Sequence, residues 1–121
     1  MAEQRSVQVD DEAAGKARAE RLLELLSLEV VEQDLFLGSN ETRSPVRLFG
    51  GQVLAQSLRA ACMTVAGGSG QKPHSLHGYF MRAGDASRRV LYEVERIRDG
   101  RSFATRRVVA IQGGEAIFNL D

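Results

Sequence analysis

The stretch Leu48-Phe49-Gly50-Gly51-Gln52-Val53-Leu54-Ala55-Gln56-Ser57 decides how this chain is read. Two adjacent glycines let the backbone turn sharply and let another group approach it closely. A helix-patterned apolar run starts directly after them. The N–H groups of a helix's first turn have no partner inside the helix. They can hold an anion, or a carbonyl oxygen that is becoming negative. Gln52 to Val65 reads as that helix, with Val53, Leu54, Leu58, Ala61, Cys62 and Val65 forming a wide apolar face. Small residues fill much of the remainder, so the helix is expected to be nearly surrounded by protein. Gly67-Gly68-Ser69-Gly70 ends it.

Upstream, Met1 to Asp10 is polar and expected to be disordered, and Asp10 or Asp11 caps a helix running to about Leu28. Ala19, Leu22, Leu23 and Leu26 follow the spacing of one buried stripe. Leu35-Phe36-Leu37 reads as a short strand, and Ser39 to Pro45 as a polar loop. Downstream of Pro73 the pattern changes to strands: His74 to Arg82, Val90 to Arg98, Ser102 to Gln112, and Glu115 to Leu120. Asp99-Gly100 is a two-residue hairpin signal that would set Glu93 opposite Arg106 and Val94 opposite Thr105. Gly113-Gly114 makes a second tight turn. The last strand looks cut short, which would leave an unfinished sheet edge. The expected class is α+β, an antiparallel sheet wrapped on one long central helix. Residues 1–20 form a flexible segment and the start of the first helix. Residues 21–121 form a single domain.

With 121 residues and a hydrophobic fraction of 43%, the chain can bury one core. Sixteen basic and sixteen acidic residues cancel, leaving no net field for nucleic acid or a membrane surface. No run approaches the roughly 20 apolar residues of a membrane span. Met1 to Arg21 lacks the apolar segment of a signal peptide. Cys62 is the single cysteine, so no internal disulfide forms and a reducing, cytoplasmic setting is expected. It reads as a buried, inert thiol.

Five segments, in order, resemble the N-terminal half of the acyl-CoA thioesterase II family of double-hotdog thioesterases. They are Leu35-Phe36-Leu37-Gly38, Phe49-Gly50-Gly51-Gln52-Val53, His74 to Asp85, Arg98 to Phe103, and Arg106-Arg107-Val108. The resemblance implies a hotdog fold, with the sheet curled around the central helix. It implies hydrolysis of fatty acyl-CoA to free fatty acid and CoA without metal or other cofactor. The family chains carry two hotdogs, and their catalytic aspartate, threonine or serine, and glutamine belong to the second. No position here receives those residues. The expected partners are acyl-CoA and a second hotdog or a second copy of this chain. The alternative is a non-catalytic hotdog that binds acyl-CoA or pairs with another hotdog. A hotdog dehydratase would need its own catalytic histidine and aspartate, and the motif order argues against it.

Thioester hydrolysis needs a positioned water, a base and donors for the oxyanion. Gly50, Gly51 and Gln52 are the candidate donors and orienting group, and Arg82 the candidate contact to an anionic substrate. The glycines serve equally well to pack helix against sheet. His74 is the candidate base, because a neutral imidazole accepts protons near neutral pH. His74 and His77 are three apart and should point to opposite faces of a strand, so no joint metal site is expected. Asp85 is expected to stabilise a turn or to pair with Arg82. Arg82, Arg88, Arg89, Arg98 and Arg101 could meet CoA phosphates or form a solvated rim.

Overall fold

The computed structural model describes residues 2–40 and 48–121, with side chains from Asp10 onward in the first segment. Most of the expected Ser39–Pro45 loop lies outside the described residues. The order is α1 (Ala2–Leu25), β1 (Glu29–Glu32), β2 (Leu35–Gly38), α2 (Gly50–Met63), β3 (Gly78–Phe80), β4 (Val90–Asp99), β5 (Ala104–Gln112) and β6 (Glu115–Leu120). The six strands make one antiparallel sheet in the order β1-β2-β4-β5-β6-β3. The α+β expectation and the central helix stand.

The core lies between α2 and the sheet. β4 alternates inward Val90, Tyr92 and Val94 with outward Glu93 and Glu95, as the period of two requires. β5 adds Val108 and Ala110, and β6 adds Ile117, Phe118 and Leu120. Against them α2 sets Val53, Gln56, Ser57, Ala60 and Ala61. Four of these five side chains are small or polar, so helix and sheet approach closely. The larger apolar residues Leu54, Leu58, Cys62 and Val65 are only half-buried. The helix is therefore covered by the sheet on one side rather than nearly surrounded.

Several expectations are corrected. The backbone is helical from Ala2, not from Asp10 or Asp11, because the early residues include good helix formers such as Ala2, Glu3, Gln4 and Arg5. The stripe on α1 is not buried: Leu22 and Leu23 are 56% and 65% exposed. Of the stripe, Leu26 alone is half-buried. The helix ends at Leu25, and Glu29–Glu32 forms an edge strand that the sequence pattern did not reveal. β6 is not an open edge, since β5 flanks it on one side and β3 on the other. His77 and Asp121 extend that pairing through reciprocal N–H···O bonds of 2.8 and 2.9 Å.

The hairpin β4–β5 also differs from expectation. Val94 lies opposite Val108 rather than Thr105, and Arg96 rather than Glu93 lies opposite Arg106. The strands meet at Asp99 and Ala104, leaving a four-residue loop closed by Gly100 N–H donating to Phe103 O at 2.8 Å. The Arg106 side chain, buried to within 5% of full enclosure, turns under this loop. Its Nε donates to Thr64 Oγ1 at 2.7 Å, its guanidinium reaches Thr64 O at 3.3 Å, and Asp99 Oδ1 lies 2.5 Å away. Thr64 is the C-cap of α2, so a cation sits where the helix dipole is negative. A two-residue turn would not give that register.

Candidate functional site

Phe49 enters α2 in an extended conformation (φ −67°, ψ 124°), and no side chain caps the helix. The Gln52 N–H already turns back to Phe49 O at 3.0 Å. The N–H groups of Gly50 and Gly51 have no intrahelical acceptor. Gly50 is held close to Phe80: a Cβ at Gly50 would come within 3.0 Å of that ring. Phe80 stacks in turn on Phe118, centroids 4.7 Å apart. The result is a cavity of ≈ 420 Å³ at the start of α2, walled by Leu48, Val53, Phe80, Ile117 and Phe118, with Arg82 in the lining.

Two of the candidate groups therefore meet here. Gly50 and Arg82 line one cavity, while Gly51 is exposed on the outer side of the first turn. Arg82 is half exposed; its Nη1 donates to Ala116 O at 2.8 Å and its Nε lies 3.6 Å from Glu115. Gln52 is oriented by the segment after β2: its Nε2 donates to Asn40 Oδ1 at 3.1 Å and Ser39 O at 3.3 Å. Asn40 itself bonds Ala86 O at 3.2 Å and also Arg88 O.

His74 is placed elsewhere. It does not begin a strand, because β3 starts at Gly78 and the preceding segment runs past the far half of α2. There His74 lies edge-on to Phe103, ring centroids 6.0 Å apart, in a separate cavity. His77 packs on Tyr79 at 4.8 Å. Among the described residues no group of histidine, cysteine and carboxylate side chains could hold a metal. Asp85 takes its turn-stabilising role and does not pair with Arg82. Hydrogen bonds from the Ser87 hydroxyl and N–H hold its carboxyl below the usual range. Cys62 is a free, half-buried thiol rather than a buried one.

Sequence reasoning missed the buried polar group beneath the site. Gln56 and Tyr92 are both fully enclosed. Tyr92 Oη donates to Gln56 Oε1 at 2.5 Å, and Gln56 Nε2 donates to Leu25 O and Ser39 O at 2.8 Å each. The available signal was the i, i+4 spacing of Gln52 and Gln56, which sets both amides over one carbonyl, that of Ser39. The apolar wall of Phe80, Ile117 and Phe118 was also hidden, since it joins strands 37 positions apart in sequence.

A sheet curled on one central helix, with an apolar groove at the helix start, defines a hotdog-fold domain. The family described as "Acyl-CoA thioesterase N-terminal domain" matches residues 40–120. The chain belongs to that acyl-CoA thioesterase family. It is 45% identical over 104 residues to acyl-coenzyme A thioesterase 8 of Homo sapiens, covering 86% of this chain and 32% of that one. It is 42% identical over 91 residues to acyl-CoA thioesterase 2 of Haemophilus influenzae, covering 75% and 31%. Among solved structures, acyl-CoA thioesterase II TesB2 of Mycobacterium marinum superposes with a TM-score of 0.73 at 46% identity, over 83% of this chain and 36% of that one. The PaaI protein of E. coli shares the fold alone, at 13% identity and a TM-score of 0.63 over 95% of each chain. The chain spans about a third of the length of the curated relatives it matches.

Proposed function

We propose that this chain is one half of a fatty acyl-CoA thioesterase, in which residues 21–121 form the N-terminal hotdog and a second hotdog completes the reaction. The observation that carries the reading is the uncapped start of α2 beside an apolar groove, in a chain of this family. The acyl chain lies along Val53, Phe80 and Phe118. The N–H groups of Gly50 and Gly51 polarise the thioester carbonyl. Gln52 orients the water or the carbonyl from the same turn, and Arg82 meets an anionic part of the substrate. Water adds to the carbonyl carbon and loses its proton to a base. The carbon–sulfur bond then breaks, releasing a fatty carboxylate and the CoA thiol. The base comes from the second hotdog, since His74 faces a different cavity. The reaction belongs to fatty acid metabolism and is placed in the cytoplasm. No described helix is long and apolar enough to cross a membrane.

The test is release of CoA thiol from medium- and long-chain acyl-CoA. The expected result is no turnover by this chain alone, and turnover when the separately expressed C-terminal half of a full-length relative is added. Turnover by the chain alone would place the base within it and overturn the division of labour.

One observation favours a second reading, a non-catalytic module that pairs with another hotdog. β3 is a sheet edge of three residues, and Tyr79, Phe80 and Met81 on or beside it are 61%, 60% and 45% exposed. Such an edge is a template for a further strand. If the mixed halves associate but never turn over, this reading replaces the first.

A further inference from the structure

We propose that the cavity over the C-terminal half of α2 is a binding site for an amphiphilic carboxylate: an apolar chain with one carboxylate end, such as dodecanoate. The cavity measures ≈ 890 Å³, within the roughly 300–1,000 Å³ of small-molecule sites. It shares no lining residue with the groove at Gly50. Along the helix their nearest lining residues, Val53 and Leu58, are about 8 Å apart at 1.5 Å per residue. The inference does not rest on thioester hydrolysis, because it follows from this wall alone.

The wall is two-sided in chemistry. Leu58 and Cys62 on α2, and Val65 just beyond its C-cap, line the cavity and stay half-buried. The exposed Leu76 and Phe103 line the same cavity, with the buried Leu120 beneath. A chain laid against Leu58, Cys62, Val65, Leu76 and Phe103 removes apolar surface from water. The charged side chains of the lining do not cancel. The Arg106 guanidinium is committed to Thr64 and Asp99. The carboxylate of Asp121 is held by Arg107 at 2.9 Å. Lys72 and Arg101 make no hydrogen bond or ion pair among the described residues. Two uncompensated cations at an apolar wall favour a ligand whose anion is attached to a hydrocarbon. An uncharged lipid leaves the cations unused, and a nucleotide anion leaves the apolar wall wet. The edge of His74, beside Phe103, adds a polar contact on the same rim.

The test is calorimetric titration of the 121-residue chain with dodecanoate below its micelle concentration, with dodecanol and adenosine 3′,5′-bisphosphate as comparators. A saturable dodecanoate site that depends on Lys72 and Arg101 is expected, with dodecanol at least about tenfold weaker there. The surface double variant Lys72→Ala/Arg101→Ala should weaken dodecanoate about tenfold while the circular dichroism spectrum stays unchanged. Leu58→Trp should fill the cavity and also weaken it. Gly50→Val, in the other groove, should leave the binding that depends on Lys72 and Arg101 unchanged. Absence of saturable binding overturns the proposal. So does uptake of several dodecanoates per chain that neither variant reduces, since that is adsorption to apolar surface. Tight bisphosphate binding that displaces dodecanoate reassigns the cations to a nucleotide and overturns it, as does loss of dodecanoate binding in Gly50→Val.

Discussion

Tyr92 on β4 and Gln56 on α2 are joined by a 2.5 Å hydrogen bond that no solvent reaches. The phenol donates to Gln56 Oε1, and the amide's Nε2 is used by the carbonyls of Leu25 and Ser39. One glutamine thus ties the central helix to the sheet, to the end of α1 and to the segment after β2. That segment also holds Gln52 in the first turn of the helix. The bond is buried and fully matched, so removing one partner leaves the other unsatisfied.

Tyr92→Phe is therefore expected to destabilise the fold by about 1–3 kcal/mol, read from urea unfolding. The pH dependence gives a second reading. Burial raises the Tyr92 phenol above its ordinary value of 10.0. The folded chain keeps a proton that the unfolded chain releases, so this contribution is complete below pH 10 and lost as the pH rises above it. Between pH 8 and 11 the urea midpoint should fall more steeply for the unsubstituted chain than for Tyr92→Phe. Parallel slopes would show that the phenol is not enclosed.

Gly38→Ala should be costly for the same reason. A Cβ there would lie 2.6 Å from Gln56 Oε1 and 2.9 Å from the Tyr92 ring, both buried and both fixed. Overpacking of this kind costs about 1–3 kcal/mol. Gly15→Ala on exposed α1 meets nothing within 4 Å and should stabilise that helix by up to about 1 kcal/mol. Thermal unfolding of the two variants should shift in opposite directions.

Arg106→Leu should detach the hairpin loop from the end of α2. It deletes the bonds to Thr64 and to Asp99 and leaves the buried Thr64 hydroxyl without its donor. The expected loss is on the order of 2–4 kcal/mol. Arg106→Lys should recover only part of it, because an ammonium lacks the planar fork. Full recovery by lysine would mean that charge alone matters there.

Gly50→Val places branched carbons against the Phe80 ring, which a Cβ would already approach to 3.0 Å. Phe80 is largely exposed and can move aside, so the fold should hold while the groove narrows. In the reconstituted two-hotdog enzyme, turnover of long-chain acyl-CoA should drop about tenfold or more, as loss of one oxyanion donor or its alignment does. An unchanged rate with an unchanged fold would remove the helix start from the mechanism.

The exposed edge predicts self-association. Sedimentation at tens of micromolar should show dimers or larger species, and Tyr79→Lys, charging the edge strand, should shift them toward monomer. A clean monomer without any substitution would contradict the role given to β3.

Much of the fold was legible locally. The alternation of Val90, Tyr92 and Val94 marked β4 and its inward face, because a strand's side chains alternate with period two. The two glycines and the apolar spacing marked α2, although the spacing misjudged which side is covered. The small residues Ser57, Ala60 and Ala61 lie against the sheet, and closeness of approach mattered more than hydrophobicity. β1 was not legible: Glu29-Val30-Val31-Glu32 is exposed at every position and is held only by pairing with β2. The hairpin register was misread because Asp99-Gly100 suggests a short turn, while Arg106 and the loop it anchors lie beyond local reach.

The amino-acid order by itself determined that a helix follows the paired glycines, though it runs Gly50–Met63 rather than Gln52 to Val65, together with the inward face of β4 and the run of family motifs, since all of these depend on neighbours within a few residues. The tertiary structure alone decided which distant groups share a site. It brought Phe80 and Phe118 together over Gly50 and left His74 on a different wall. It also closed Tyr92 onto Gln56, 36 positions away. Those pairings follow from strand order and helix placement, which are set by burying one common core and not by any local stretch.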